Sequence, residues 1–113
     1  MKDINFLVLH SDLPTAYLFG EVIRKEGYLN VIYSDSIEDV DKNRKVDILL
    51  VDASFNNELQ SPVEQSNVKK TILIYDSPLQ SYNLRNFDTK IYYPLLNISE
   101  IREVVYEQVK SIS

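Results

Sequence analysis

The chain contains no cysteine. That excludes a disulfide scaffold, a thiolate zinc site, and any cysteine nucleophile or phosphocysteine carrier. Glycine is almost as scarce, with 2 in 113 residues, and neither G-x-G-x-x-G nor a P-loop is present to cradle a phosphate. No long basic run exists and the net charge is −5, which argues against nucleic acid as a partner. No apolar stretch approaches the length that spans a bilayer. The start, Met1-Lys2-Asp3-Ile4-Asn5-Phe6, sets an acid and an amide before a short apolar run, unlike a signal peptide. A cytoplasmic chain with no membrane partner is the expectation. The remaining composition, 44% hydrophobic and 26% charged, is ordinary for a globular protein. The length suits a single domain over residues 1–113.

The central feature is Val46-Asp47-Ile48-Leu49-Leu50-Val51-Asp52-Ala53-Ser54. Four consecutive apolar residues without alternation read as a strand covered on both faces, the pattern of a central strand in a parallel sheet. Similar runs occur at Ile4–Leu9, Tyr28–Tyr33, Thr71–Tyr75 and Ile91–Tyr93. Between the first two, apolar residues at Ala16, Leu18, Phe19, Val22 and Ile23 predict a helix over Thr15–Glu26. Asp12 is placed to cap it, Pro14 suits its first turn, and Gly27 suits its left-handed end. A short helix is expected after Ser34-Asp35-Ser36, with Ser36 and Asp39 as a variant capping box. The segments after the third and fourth strands carry turn signals instead, such as Asn56-Asn57 and Ser61-Pro62. A short helix around Val63–Val68 is the most they offer. Ser99 is read as the cap of a last helix with Ile101, Val104, Val105, Val109 and Ile112 on its apolar side. Strand–helix alternation repeated about five times predicts an α/β fold, a five-stranded parallel sheet with helices on both faces. The third and fourth helices are expected to be short or irregular.

Three strands end alike, in His10-Ser11-Asp12, in Asp52-Ala53-Ser54, and in Asp76-Ser77-Pro78. Ligands of open α/β sheets gather beyond the carboxyl ends of strands. If these strands are adjacent, Asp52, Asp76 and a residue of the first group converge there, where carboxylates hold a hard cation or raise one another's pKa. The plainer reading of such Asp and Ser residues is loop and cap chemistry. His10, the one histidine, is a poor transition-metal site alone. It is expected to make a backbone hydrogen bond, with proton sensing as the alternative.

These motifs resemble the receiver domains of two-component response regulators, the chemotaxis type among them, over the whole chain. FLVLHSD with a helix ending RKEGY matches the family's first strand and helix, VDILLVDAS matches the strand bearing the phosphorylated aspartate, and ILIYDSP and YYPL match the fourth and fifth strands. The resemblance implies a flavodoxin-like three-layer sandwich and puts Asp52 on the phosphoacceptor position. It also exposes departures. The acidic pair that holds Mg²⁺ is replaced by His10 and Ser11, with Asp12 one step beyond. Asp76 stands where the family has a hydroxyl, unless Ser77 serves. Tyr93 replaces the phosphoryl-contacting lysine while Pro94 is kept, and Lys90 replaces the switch aromatic.

Phosphoryl transfer to a carboxylate needs a divalent ion and a cation on the transferred oxygens. With those charges lost, the expectation is a degenerate pseudo-receiver: no enzyme and no cofactor, acting on another signalling protein. With no effector sequence after Ser113, output is expected to pass through such a partner or a homodimer. Tyr92, Tyr93 and Tyr106 mark the face through which receivers often pair, with core packing as the equal alternative. Asp76 and Lys90 are expected to form an ion pair that locks the ends of the fourth and fifth strands. Two other functions stay open: an active phosphoacceptor with a rearranged Mg²⁺ site of Asp12, Asp52 and Asp76, and a flavodoxin-like small-ligand binder.

Overall fold

A computed structural model describes residues 3–40, 45–58, 68–75, 88–92 and 98–112. Five strands, β1 (Asn5–Leu9), β2 (Asn30–Ser34), β3 (Ile48–Asp52), β4 (Lys70–Tyr75) and β5 (Thr89–Tyr92), form one sheet. Its order is β2-β1-β3-β4-β5 and every pairing is parallel. This is the flavodoxin-like arrangement, whose crevice lies where the strand order reverses, between β1 and β3.

Side chains of β3 alternate between two cores, which is why the run carries no polar residue. Ile48 and Leu50 join the core under α1 (Leu13–Lys25) and α2 (Ile98–Ile112), with Phe6, Val8, Phe19, Ile23, Ile72, Ile101 and Val105. Leu49 and Val51 join the opposite core with Leu7, Leu9, Val40, Val46 and Leu73. Among the described residues, that second face is covered by short 3-10 helices, Ile37–Asp39 and Ala53–Glu58, and by Val68. Helix α1 seats Ala16, Phe19, Val22 and Ile23, and α2 seats Ile101, Val105 and Val109. Both sets have the spacing of one helical face.

Element ends and caps differ from the sequence reading in several places, among them β5, which begins at Thr89, two residues before the expected Ile91. α1 begins at Leu13, two residues early, and Asp12 at its cap makes no side-chain bond to the helix backbone; its carboxylate accepts the Thr15 hydroxyl instead. β2 starts at Asn30 because Tyr28 turns in against Phe6, with ring centroids 5.5 Å apart. Ser36 does cap Glu38 N–H at 3.3 Å. Its own N–H, which a capping box would direct to Asp39, donates to the Ser34 hydroxyl at 2.9 Å, and that hydroxyl in turn donates to Asp39. Ser99 lies inside α2, which already starts at Ile98. Gly27 ends α1 as expected, with φ 99°. The short helix expected around Val63–Val68 lies outside the described residues, which resume only at Val68.

The amino-terminal edge of the sheet is closed by carboxylates. Asp47, buried just before β3, accepts the Asn5 backbone N–H at 2.8 Å and pairs with Lys69 Nζ at 3.3 Å. Its own N–H donates to Asn5 O, and its carbonyl accepts from Lys69 and Lys70 N–H. Asp88 repeats the device before β5: it accepts Thr71 N–H at 2.8 Å and returns its own N–H to Thr71 O. Burial raises the Asp47 pKa, but the Asn5 N–H, the Lys69 contact and the Lys45 charge outweigh it, so the carboxyl titrates below the ordinary aspartate range.

Gly20 serves a close approach. A Cβ there would stand 2.2–2.6 Å from the Tyr33 ring and hydroxyl. Tyr33 packs edge-on against Tyr17 and lies under Arg24. Gly20→Ala adds about 1 kcal/mol of helix preference but evicts that ring, and overpacking costs about 1–3 kcal/mol. The expected result is a net loss of stability in urea unfolding, with a weakened near-UV tyrosine signal. An unchanged signal with raised stability would contradict it.

Candidate functional site

The carboxyl ends of β1 and β3 lie side by side because Leu9 is opposite Val51 in the parallel register. One step on, His10 and Asp52 come level across the crevice. His10, Ser11, Asp12, Thr15, Asp52, Ile74 and Tyr75 line a depression of about 240 Å³ there. The sequence-predicted residues of the first and third strands thus meet in one place. Asp76, Ser77, Tyr93 and Pro94 lie outside the described residues.

Asp52 is held by neutral donors. Its Oδ2 accepts the Ser54 hydroxyl at 2.6 Å and the Ser11 hydroxyl at 3.1 Å. His10 Nε2 faces Oδ1 at 3.9 Å, too far for a hydrogen bond. The imidazole is oriented from behind, since Nδ1 accepts the Asp12 backbone N–H at 2.9 Å. An accepting Nδ1 puts the proton of the neutral ring on Nε2, the nitrogen that faces Asp52. The ring is almost fully buried and the His10 backbone N–H is bonded to Ser34 O. The backbone hydrogen bond expected of His10 is therefore made through its side chain.

Asp12 contributes to the lining, but its carboxylate takes the Thr15 hydroxyl at the start of α1. Thr15 is a lining residue the sequence does not single out, whereas Ser54 is a candidate donor from the turn after β3. Ser54 was legible as a hydroxyl two positions after Asp52; Thr15 has no signal beyond its place one turn after Asp12. No group of three or more His, Asp or Glu side chains suited to a metal ion occurs among the described residues.

Lys90 is exposed and stands 5.6 Å from the centre of the Tyr75 ring, a cation–π contact. Its expected partner Asp76 is outside the described residues. Tyr106 is 60% exposed on α2, between a groove with Glu26, Ser99, Arg102 and Glu103 and another with Asp88, Thr89 and Glu107. Arg102 Nε pairs with Glu26 at 3.0 Å along the first of these. Tyr106 is thus a surface residue and not part of the core. The side chain of Tyr92 is outside the described set. No described helix is long and apolar enough to cross a membrane.

No protein-family model and no curated protein sequence matches this chain. Among solved structures, it is similar to the crystal structure of a protein from Burkholderia pseudomallei described as pilus assembly-related. The two superpose with a TM-score of 0.71 over 95% of this chain and 90% of that one, at 15% sequence identity. At that identity the likeness concerns fold alone, and with the strand order it establishes a flavodoxin-like architecture for this chain.

Proposed function

We propose that this protein is a receiver-fold signalling module that works by binding another protein, without phosphorylation of Asp52 and without catalysis. The observation that carries the reading is the environment of Asp52, whose oxygens face two hydroxyls and a neutral imidazole. A phosphoryl group formed there would need a divalent ion and a fixed cation to offset its charge. The acidic pair that would hold the ion is His10 and Ser11 in this chain, and Asp12 is committed to Thr15. The two hydroxyl donors stabilise the carboxylate as it stands. The exposed Tyr106, in the groove it shares with Thr89 of β5, is the face offered to the partner, in a cytoplasmic setting.

The test is a titration with Mg²⁺ and beryllofluoride, following amide resonances of residues 10–12 and 52–54. No shift up to about 10 mM Mg²⁺ is expected, a range ample for the weakest carboxylate sites. Asp52→Asn should leave the fold intact, since the amide oxygen can still accept a hydroxyl, and cost about 0.5–1.5 kcal/mol, the size of one hydrogen bond. Saturable shifts that vanish in Asp52→Asn would replace this reading with an active phosphoacceptor. Copurifying flavin absorbance would replace it with a small-ligand binder.

A further inference from the structure

We infer that the chain self-associates through the free edge of β2, forming a continuous ten-stranded sheet across a twofold axis at Ile32. The inference is independent of the role of Asp52. It starts from an edge that lacks the usual protection. Edge strands avoid pairing by carrying charges, prolines or bulges; β2 is Asn30-Val31-Ile32-Tyr33-Ser34, with none of these. No strand lies beyond it among the described residues.

The direction of its backbone groups follows from one bond. Ser34 O accepts from His10 N–H, so it points to β1. Backbone groups alternate along a strand, so those of Val31 and Tyr33 point to the open side. Arg24 agrees with this, donating to Val31 O from α1 at 3.4 Å. That long contact from an exposed side chain is easily displaced.

An antiparallel second copy centred on Ile32 makes the edge self-complementary. Val31 and Tyr33 of opposite copies exchange both backbone bonds and form a β-branched–aromatic pair, a favoured cross-strand combination. Ile32, 42% exposed in the monomer, meets Ile32 of the second copy. Asn30 falls opposite Ser34, two short polar side chains. Charge selects the same register. Arg24 lies level with Val31, while Gly20 and Tyr17 lie level with Tyr33. The axis at Ile32 therefore brings each Arg24 beside the exposed Glu21 of the other copy.

The experiment exploits the absence of cysteine. Directly opposed residues at a non-hydrogen-bonded position are about 4.5 Å apart at Cα, within disulfide reach. Ile32→Cys should give a disulfide-linked dimer under mild oxidation, faster by at least about tenfold, an energetic preference of about 1.4 kcal/mol, than a cysteine at the exposed Lys110 on α2, Lys110→Cys. Sedimentation of the unmodified chain should show a concentration-dependent dimer, and Ile32→Lys should weaken it by about tenfold or more with unchanged circular dichroism. A chain monomeric up to about 1 mM, the weak end of specific association, overturns the inference. So does a dimer indifferent to Ile32→Lys, or cross-linking no faster through position 32 than through position 110.

Discussion

Phe19→Ala is expected to lower the unfolding free energy by about 3–5 kcal/mol. Phe19 is fully buried on α1, in the core that also takes Ile23, Phe6, Val8, Ile101 and Val105. It is among the largest fully buried side chains of the described residues. Truncation removes its transfer energy and leaves a cavity that helices seated on a stiff parallel sheet cannot close. A domain of this size has about 5–15 kcal/mol of stability in total, so the variant should be partly unfolded at 37 °C. Phe19→Leu keeps most of the volume and should cost under about 1.5 kcal/mol. Urea midpoints of the two variants and the parent measure the difference. A Phe19→Ala loss below about 1 kcal/mol, the size of one methylene, would mean that α1 does not seat on the sheet as described.

Asp47→Ala should be the most damaging change of a charged residue, at about 2–3 kcal/mol near neutral pH. It strands the Asn5 N–H, for which the described residues offer no other acceptor at the edge of β1, and removes the partner of Lys69. The pH dependence has a definite sign. The folded-state pKa is depressed, so the carboxylate's stabilisation is present above the unfolded aspartate value and is lost as pH falls through the folded value. The parent should therefore lose stability on acidification more steeply than Asp47→Ala, and the gap between them should narrow toward the acid end. Unfolding curves at neutral pH and at successively lower pH read this directly. A gap constant with pH would show that the ionised form contributes nothing.

The two aspartates flanking β3 show where local pattern stops being informative. Asp47 and Asp52 bracket the same apolar run and look alike from the sequence, which marks both as the limits of a strand. Asp47 proves to be a buried clamp, because Asn5 and Lys69 reach it from far along the chain. Asp52 stands at the crevice, because β1 and β3 are neighbours in parallel register. Nothing within a few residues of either position distinguishes them. Ser11 and Ser54 follow the same logic: each is an ordinary turn residue until the sheet brings both to one carboxylate oxygen.

By itself the sequence determined the α/β class, the five strands, the first and last helices and the glycine that ends α1. These follow from apolar periodicity and turn chemistry, which act over a few residues. Only the tertiary structure decided that β2 is an edge strand, that His10 turns Nδ1 to the Asp12 N–H, and that Tyr106 stays exposed. Strand order and burial depend on contacts between distant segments, whose energies no local window contains.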